Sequence, residues 1–338
     1  MWGKSIMGLA LAHAMQMRTL IVTTTTVIRD MWEKEIKKFF GFDPGVIGAG
    51  KFINQEAPIV VGNIQTVKKM AQKLSSDFGV LIIDECHHCP ATTFSDVLFT
   101  SRAAVKIGLS GTHIRKDGKH VLFKDFFGTK VFVGEDTNRM TPEVYSWETN
   151  AELSGNQLIP WALRVNKLFE QQEYYEDIFF ITACLETMGH KVLIVADRVA
   201  FLEALHESIP SSVMIAGDTN KTTEEREEAM ALIKTGQKKV ILATQSIFSE
   251  GVSLNELSAV VLATPINNDS LLEQIIGRVQ RKADSKILDP VVVDITLQGN
   301  TGKRQALNRR AFYSRQGWKY TPISRASLIV RSNNARSK

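Results

Sequence analysis

The sequence predicts an α/β protein of two tandem lobes, each built on a parallel sheet with helices on its faces. Three observations carry this reading. The chain has 338 residues, of which 44% are apolar, 23% charged and only 9 are proline, a globular composition long enough for two cores. Two series of short aliphatic or β-branched runs alternate with amphipathic segments, the strand-then-helix signature of parallel α/β folds. An irregular stretch over residues 116–155, rich in Gly, Asp, Lys and Thr, separates the two series.

In the first series, buried strands are expected at Thr19–Thr23, Ile59–Val61, Val80–Ile83 and Val105–Leu109, with an amphipathic helix over Val27–Phe40. In the second they are expected at Val192–Val195, Val240–Ala243, Val260–Ala263 and Val291–Ile295. Helices are expected at Arg198–His206 and Thr223–Thr235, the latter opened by a Thr-Thr-Glu-Glu helix start. The domain division expected from these series is 1–148, 149–300 and a basic C-terminal extension over 301–338.

The net charge of +5 is unevenly placed. Residues 301–338 hold ten basic side chains and no acidic one, so residues 1–300 carry 31 basic against 36 acidic groups, a net of −5. A basic tail on an acidic body permits two readings. It is a solvated chain end, or a nucleic-acid grip in which Arg309, Arg310 and Arg315 are interleaved with Trp318 and Tyr320. The acidity of the remaining body favours the second reading, while Phe312, Tyr313 and Trp318 suggest that part of the tail packs on the second lobe.

Three cysteines (Cys86, Cys89, Cys184) make no disulfide framework and suit a reducing compartment. No run reaches 18 apolar residues, so no membrane span and a cytoplasmic location are expected. The run Ile6–Ala12 after Lys4 imitates a signal peptide, but the same residues have a better explanation below.

The chemistry begins at Val80-Leu-Ile-Ile-Asp84-Glu85-Cys86-His87-His88. Four aliphatic residues end in two adjacent carboxylates, and the C-terminal edge of a parallel sheet is where such folds bind ligands. An Asp there can hold Mg²⁺ through its water shell, and the next Glu can orient and deprotonate an attacking water. Alone, the pair reads as an acidic turn; its company decides otherwise. Gly3-Lys4-Ser5, followed by a helical run, has the form of the end of a phosphate-binding loop, in which Lys neutralises phosphate oxygens and Ser ligates Mg²⁺. Ser110-Gly111-Thr112 follows the strand Val105–Leu109. In Gln274-Ile-Ile-Gly277-Arg278-Val-Gln-Arg281, two arginines three apart share a helix face and carry the forked, permanent charge that suits a γ-phosphate.

Taken in order, these pieces resemble a superfamily 2 helicase of the DExH type over nearly the whole chain. Gly3-Lys4-Ser5 is similar to the end of motif I, Leu20–Thr26 with Trp32 to motif Ia, and Gly62-Asn-Ile-Gln65-Thr66 to motif Ib. Asp84-Glu85-Cys86-His87 resembles motif II, Ser110-Gly111-Thr112 motif III and Val192–Arg198 motif IV. Gly217, Arg226 and Val240–Thr244 resemble the block before motif V, Ser249-Glu250-Gly251-Val252-Ser253; Gln274–Arg281 matches motif VI. The Asp-Glu-Cys-His and Phe-Ser-Glu-Gly-Val-Ser wording looks most like bacteriophage and repair-type DNA helicases that remodel forked and branched DNA.

The resemblance implies two RecA-like lobes, ATP and Mg²⁺ as cofactors, DNA as partner, and a role for each matched residue. Lys4, with Gly3 and Ser5, binds phosphate; Ser5 and Asp84 hold the metal; Glu85 activates water. His87, Ser110 and Thr112 couple the nucleotide to the nucleic-acid face, and Gln274, Arg278 and Arg281 sense the γ-phosphate with Gly251 nearby. Thr24, Thr66, Arg198 and Thr244 contact strand phosphates. Cys86-His-His-Cys89 is not read as zinc, which needs four converging ligands.

The chain departs from the family at its start. Met1-Trp2 supplies neither the first half of the phosphate loop nor the strand before it. The first lobe is therefore expected to lack its N-terminal strand and to leave neighbouring backbone groups unpaired. Impaired ATP binding and a complementing N-terminal segment or chain are expected with it. Two alternatives stay open: an RNA helicase, and a non-hydrolysing nucleic-acid-binding remnant or half of a split helicase.

Overall fold

The computed structural model describes residues 4–48, 51–54, 56–86, 91–110, 125–132, 139–215, 223–245, 255–283, 286 and 288–336. The chain divides into two compact units, Met1–Asp136 and Thr137–Lys338.

The first unit is a six-stranded sheet in the order β3-β2-β4-β1-β5-β6, with β1 Thr19–Thr23, β2 Gly45–Gly48, β3 Lys51–Ile53, β4 Ile59–Asn63, β5 Val80–Ile83 and β6 Val105–Gly108. Only the β2–β3 hairpin is antiparallel. The aliphatic runs that announce β1 and β5 are buried on both faces, as covered parallel strands must be. Leu20, Val22, Leu81 and Ile83 face helices α3 (Ile64–Lys69), α4 (Ala71–Leu74) and α5 (Ala91–Thr100). Ile21, Val80 and Ile82 face α1 (Lys4–Met15) and α2 (Thr26–Phe40). Helix α2 is cut to length by its ends: Thr25 Oγ1 accepts from the Ile28 N–H at 3.3 Å, and Gly41 closes the helix at φ 74° with its N–H donating to Lys37. Its inward face, Ile28, Trp32 and Ile36, is spaced four apart and buried. Gly8 lets α1 approach α2, since a Cβ there would lie 2.9 Å from the Trp32 ring.

On one side the described sheet ends at β6, which pairs in parallel with β5 alone, Val80 to Val105 through Ile83 to Gly108.

The second unit is a seven-stranded parallel sheet, β13-β7-β12-β11-β8-β10-β9. Its strands are β7 Glu143–Glu152, β8 Val192–Val195, β9 Ser212–Ile215, β10 Val240–Ala243, β11 Ala259–Leu262, β12 Val291–Gln298 and β13 Lys319–Ile323. Helices α6 (Trp161–Phe169), α7 (Gln172–Thr187) and α8 (Val199–Ser208) lie on the chain before β9; α9 (Thr223–Lys234), α10 (Asp269–Val279), α11 (Gly299–Arg315) and α12 (Arg325–Arg336) follow it. One face of the sheet packs on Tyr174, Ile178, Ile181 and Leu202, the other on Leu272, Ile275, Phe312 and Tyr313.

Two expectations are corrected. The units meet at Asp136/Thr137 rather than at 148, because the 143–152 segment is a strand of the second sheet, in register with β12. Residues 301–338 are not a separate extension. β13 pairs with β7 from Lys319–Glu143 to Ile323–Trp147, so the tail supplies the outer strand and two helices of the second unit. Pro322, which has no N–H to give a ladder, sits in this outermost strand.

His190, 3% exposed, meets Ser258 Oγ at 3.0 Å between α7 and β8. Burial, then the nearby Lys286 charge, pushes its pKa down to about 4. The unfolded chain binds this proton near pH 6.5 and the folded chain only near 4. The neutral ring's contribution is therefore complete above pH 6.5 and is lost as the pH falls towards 4. Urea unfolding from pH 7 to 4.5 should show wild type losing about 2–3 kcal/mol more stability than His190→Gln.

Candidate nucleotide site and motor motifs

At the C-terminal edge of the first sheet the described residues matched to motifs I and II meet. Lys4, in the first turn of α1, donates from Nζ to Glu85 Oε1 at 2.5 Å, with the two side chains 15% and 12% exposed. Asp84, 4% exposed, closes β5. Its Oδ2 accepts from the Trp32 indole N–H at 2.8 Å and its Oδ1 from the Glu85 backbone N–H at 2.8 Å. Both carboxylate oxygens are thereby oriented. Burial raises the Asp84 carboxyl above the ordinary range, Glu85 adds to the rise, and Lys4 and the indole bond oppose it. Glu85 takes φ +47°, a left-handed conformation costly for a non-glycine residue; the turn it makes carries the chain out of the sheet edge. Burial pushes the Cys86 thiol up to about 12, so this cysteine is an inert packing group.

Ser5 lies beside Lys4 in α1, and Ser110 follows β6, where Cys86 N–H donates to Leu109 O at 3.0 Å and Leu109 N–H to Ile83 O at 2.8 Å. The residue that leads into Ser110 is thus stitched to the end of β5 and to motif II. Thr24 directly follows β1 and Thr66 lies in α3, both partly buried. Gly3, His87, Thr112 and Gly251 lie outside the described residues.

The donor set fits a magnesium nucleotide. A fixed ammonium beside hard oxygen donors, the Ser5 hydroxyl and the Asp84 carboxylate, has the chemistry of a phosphate-and-magnesium site. Trp32 as the orienting partner of Asp84 is visible only in three dimensions; in sequence it reads as a core tryptophan.

In the second unit, Arg198 follows β8 and caps α8; its Nε donates to Asn166 Oδ1 at 2.7 Å. Thr244 ends β10 and is 8% exposed. The adjoining strand ends are tied: the Asp197 N–H donates to Thr264 Oγ1 at 2.8 Å and the Ala196 N–H to Ala243 O at 3.1 Å. Gln274 and Arg278 are on α10, where Arg278 is 3% exposed, and Arg281 lies just beyond it. Helix α10 is held at both ends. Asn268 Oδ1 accepts from the N–H groups of Ser270 and Leu271, and Lys286 donates to the carbonyls of Val279 and Arg281. Burial, then Arg139, lowers the Arg281 pKa, while Arg139 and Arg281 form a backbone bridge. Lys286 is a capping residue the motif comparison misses; its sequence signal is a cation shortly after a helix end.

The tail reading changes. Arg309 is not a phosphate contact: it is 3% exposed, and its Nε and Nη2 both donate to Asp294 Oδ1, at 2.8 and 2.6 Å, inside the second unit. The helical period places it on the inward face of α11 with Gln305, Phe312 and Tyr313. Arg310 lies over the Tyr320 ring at 5.0 Å and Arg315 pairs with Asp269 at 2.8 Å. Five of the ten tail cations (Arg309, Arg315, Lys319, Arg325 and Arg331) are paired with carboxylates of the same unit. The charge asymmetry of the sequence is in good part an internal complementarity.

Family models for the type III restriction enzyme res subunit and the helicase conserved C-terminal domain match residues 2–115 and 173–283. The probable helicase D10 of Escherichia phage T5 is 49% identical over 322 residues, covering 94% of this chain and 71% of the relative. A putative ATP-dependent RNA helicase of Acanthamoeba polyphaga mimivirus is 27% identical, covering 93% and 62%. The DNA 3'-5' translocase XPB2 of Sulfurisphaera tokodaii is 25% identical, covering 91% and 78%. Among solved structures, S. cerevisiae Dbp5 bound to RNA and ADP BeF3 superposes with a TM-score of 0.66 at 12% identity, covering 95% of this chain and 81% of that one; this is a likeness of two-lobed RecA-like fold. Motifs in order, two matching domain models and a relative sharing half of its residues agree: the chain belongs to the superfamily 2 helicases, ATP-hydrolysing enzymes, on the phage and repair side of that family.

Proposed function

We propose that this chain is a DNA-stimulated ATPase that translocates on duplex, forked or branched DNA in recombination, repair or replication. The observation that carries the proposal is the oriented cluster of Lys4, Asp84 and Glu85 at the end of β5, set in a chain of this family.

In this reading Lys4 binds phosphate, Ser5 and Asp84 hold Mg²⁺, and Glu85 takes the proton of the attacking water. ATP supplies the phosphoanhydride whose hydrolysis drives the cycle. Trp32 keeps one Asp84 oxygen engaged and so restricts the carboxylate to one orientation. Ser110 and Thr112, with His87, transmit the nucleotide state; Gln274, Arg278, Arg281 and Gly251 attend the γ-phosphate. Thr24, Thr66, Arg198 and Thr244 grip strand phosphates, with Arg310 and Arg315 as auxiliary cations. Backbone contacts of this kind track a strand without reading bases.

DNA rather than RNA is supported by the Asp-Glu-Cys-His and Phe-Ser-Glu-Gly-Val-Ser wording and by the relative named a DNA translocase; the relative named an RNA helicase supports the second reading. ATPase rates with forked DNA, duplex DNA and single-stranded RNA discriminate: strongest stimulation by forked DNA is expected, and stimulation by RNA alone would overturn the DNA reading. Arg281→Ala should lower kcat by about 10²-fold or more with little change in KM, the pattern of a lost transition-state contact. Unaltered turnover would remove Arg281 from the mechanism.

A further inference from the structure

The turn that leads into α6 carries an aromatic and apolar surface beside the motif IV arginine. Asn156 Oδ1 accepts from the Leu158 N–H at 3.0 Å, and Asn156 O accepts from the Ile159 N–H at 3.3 Å. This closed Asx turn holds Leu158 at 92% exposure. Trp161 follows at the first position of α6, 37% exposed, and Leu163 is 52% exposed. Leu158 and Trp161 thus stand three positions apart as large apolar side chains exposed on ordered backbone, while Leu163, two residues beyond Trp161, lies on another face of α6.

The tryptophan is positioned from behind. The Arg164 guanidinium lies 5.5 Å from its ring centroid and is itself only 8% exposed, anchored by Nε to Ser154 O at 2.6 Å. The indole lies close enough to the Asp197 carboxyl to oppose the rise that burial gives its pKa. Arg198, the next residue, donates through Nε to Asn166 on α6 and through Nη1 to its own neighbour's carbonyl, Asp197 O at 3.0 Å. No carboxylate pairs with Arg198 among the described residues. Asp197 is an acidic group at the site: burial raises its pKa, and the neighbouring Arg198 charge and the indole oppose the rise.

An exposed aromatic backed by the anchored Arg164, beside an arginine that makes no ion pair among the described residues, matches one ligand chemistry, an unpaired nucleobase with its phosphate. The base has a π-face for the indole and an apolar flank for Leu158; the phosphate takes the guanidinium. We propose that Trp161, with Leu158, is a stacking platform for an unpaired base of single-stranded nucleic acid whose phosphate is held by Arg198. This rests on the reading of the chain as a nucleic-acid motor and adds to it: the second unit grips bases as well as backbone, without choosing among them.

The test uses the full chain and a labelled 20-mer of thymidylate. Trp161→Ala should weaken binding by about 5- to 150-fold, the range for one lost base–aromatic stack, with the salt dependence unchanged because no phosphate contact is removed. Trp161→Phe, which keeps a ring, should restore most of the affinity. Arg198→Ala should instead lower the salt slope by about one. Photo-crosslinking of wild type to a 5-bromodeoxyuridine 20-mer, independent of how any variant folds, should place an adduct on Trp161. Wild-type affinity in Trp161→Ala, or an adduct map without Trp161, overturns the platform while leaving the motor reading in place. A wild-type chain that binds neither the 20-mer nor duplex at low salt overturns both. Self-association that Leu158→Gln abolishes, with 20-mer binding unchanged, would make the patch an interface between copies and also overturn the platform.

Discussion

Glu85→Gln is expected to lower nucleic-acid-stimulated ATP turnover by about 10²- to 10⁴-fold, the contribution of a positioned general base, while ATP still binds. The amide keeps the size of the carboxylate and loses its basicity. It also removes the ion pair to Lys4, so Lys4 is released towards phosphate and nucleotide affinity should hold or rise. A filter-binding measurement of ATP beside steady-state turnover separates the two effects. Normal turnover in Glu85→Gln would show that another group activates water. Lys4→Met is the complementary variant: it removes the cation and should weaken nucleotide binding together with turnover. It leaves Glu85 beside the buried, upward-shifted Asp84 without the charge that opposes that shift.

Arg309→Met is expected to destabilise the second unit by about 3–5 kcal/mol, because it leaves the Asp294 carboxylate buried without its cation. Asp294 is 1% exposed and Arg309 3%, so neither can turn to water. The pair is incompletely satisfied, since Asp294 Oδ2 and Arg309 Nη1 are buried with no hydrogen-bond partner among the described residues. Two buried charges that only partly meet each other's needs are replaceable. The double variant Arg309→Met/Asp294→Leu should therefore be markedly more stable than either single variant, and close to wild type. Urea unfolding of all four proteins closes the cycle. A loss under about 1 kcal/mol in Arg309→Met, the scale of a surface pair, would mean that Arg309 reaches solvent and that the tail is not locked into the fold as described.

The elements legible in the sequence are those whose burial is complete. Val80–Ile83 and Val192–Val195 are aliphatic throughout because both faces of a covered parallel strand are dry. β7 and β13 escape such reading for the opposite reason. In β7, Glu143, Ser146, Glu148 and Asn150 interrupt the run, and the outermost strand β13 contains Lys319, Thr321 and Pro322; the membership of both depends on partners far along the chain, since β7 lies between β12 and β13. The carboxylate pair and the lysine of the nucleotide site were readable because their chemistry demands those residue types at a strand end and a helix start. Trp32 was not readable as the support of Asp84, since 52 residues separate them and nothing local links an indole to a carboxylate.

The sequence by itself determined the family and the two α/β series and supplied the candidate groups for nucleotide and strand, because composition, periodicity and motif spacing are local properties. Tertiary structure alone decided what the basic tail is. Counted along the chain it is ten positive charges with no negative one. Folded, it is an outer strand and two helices whose cations meet Asp294, Asp269, Glu143 and Asp177, residues 15 to 188 positions away in the chain. Charge pairing acts through space over a few ångströms, so a run of like charge says which sign a partner must have and only the fold says where that partner is.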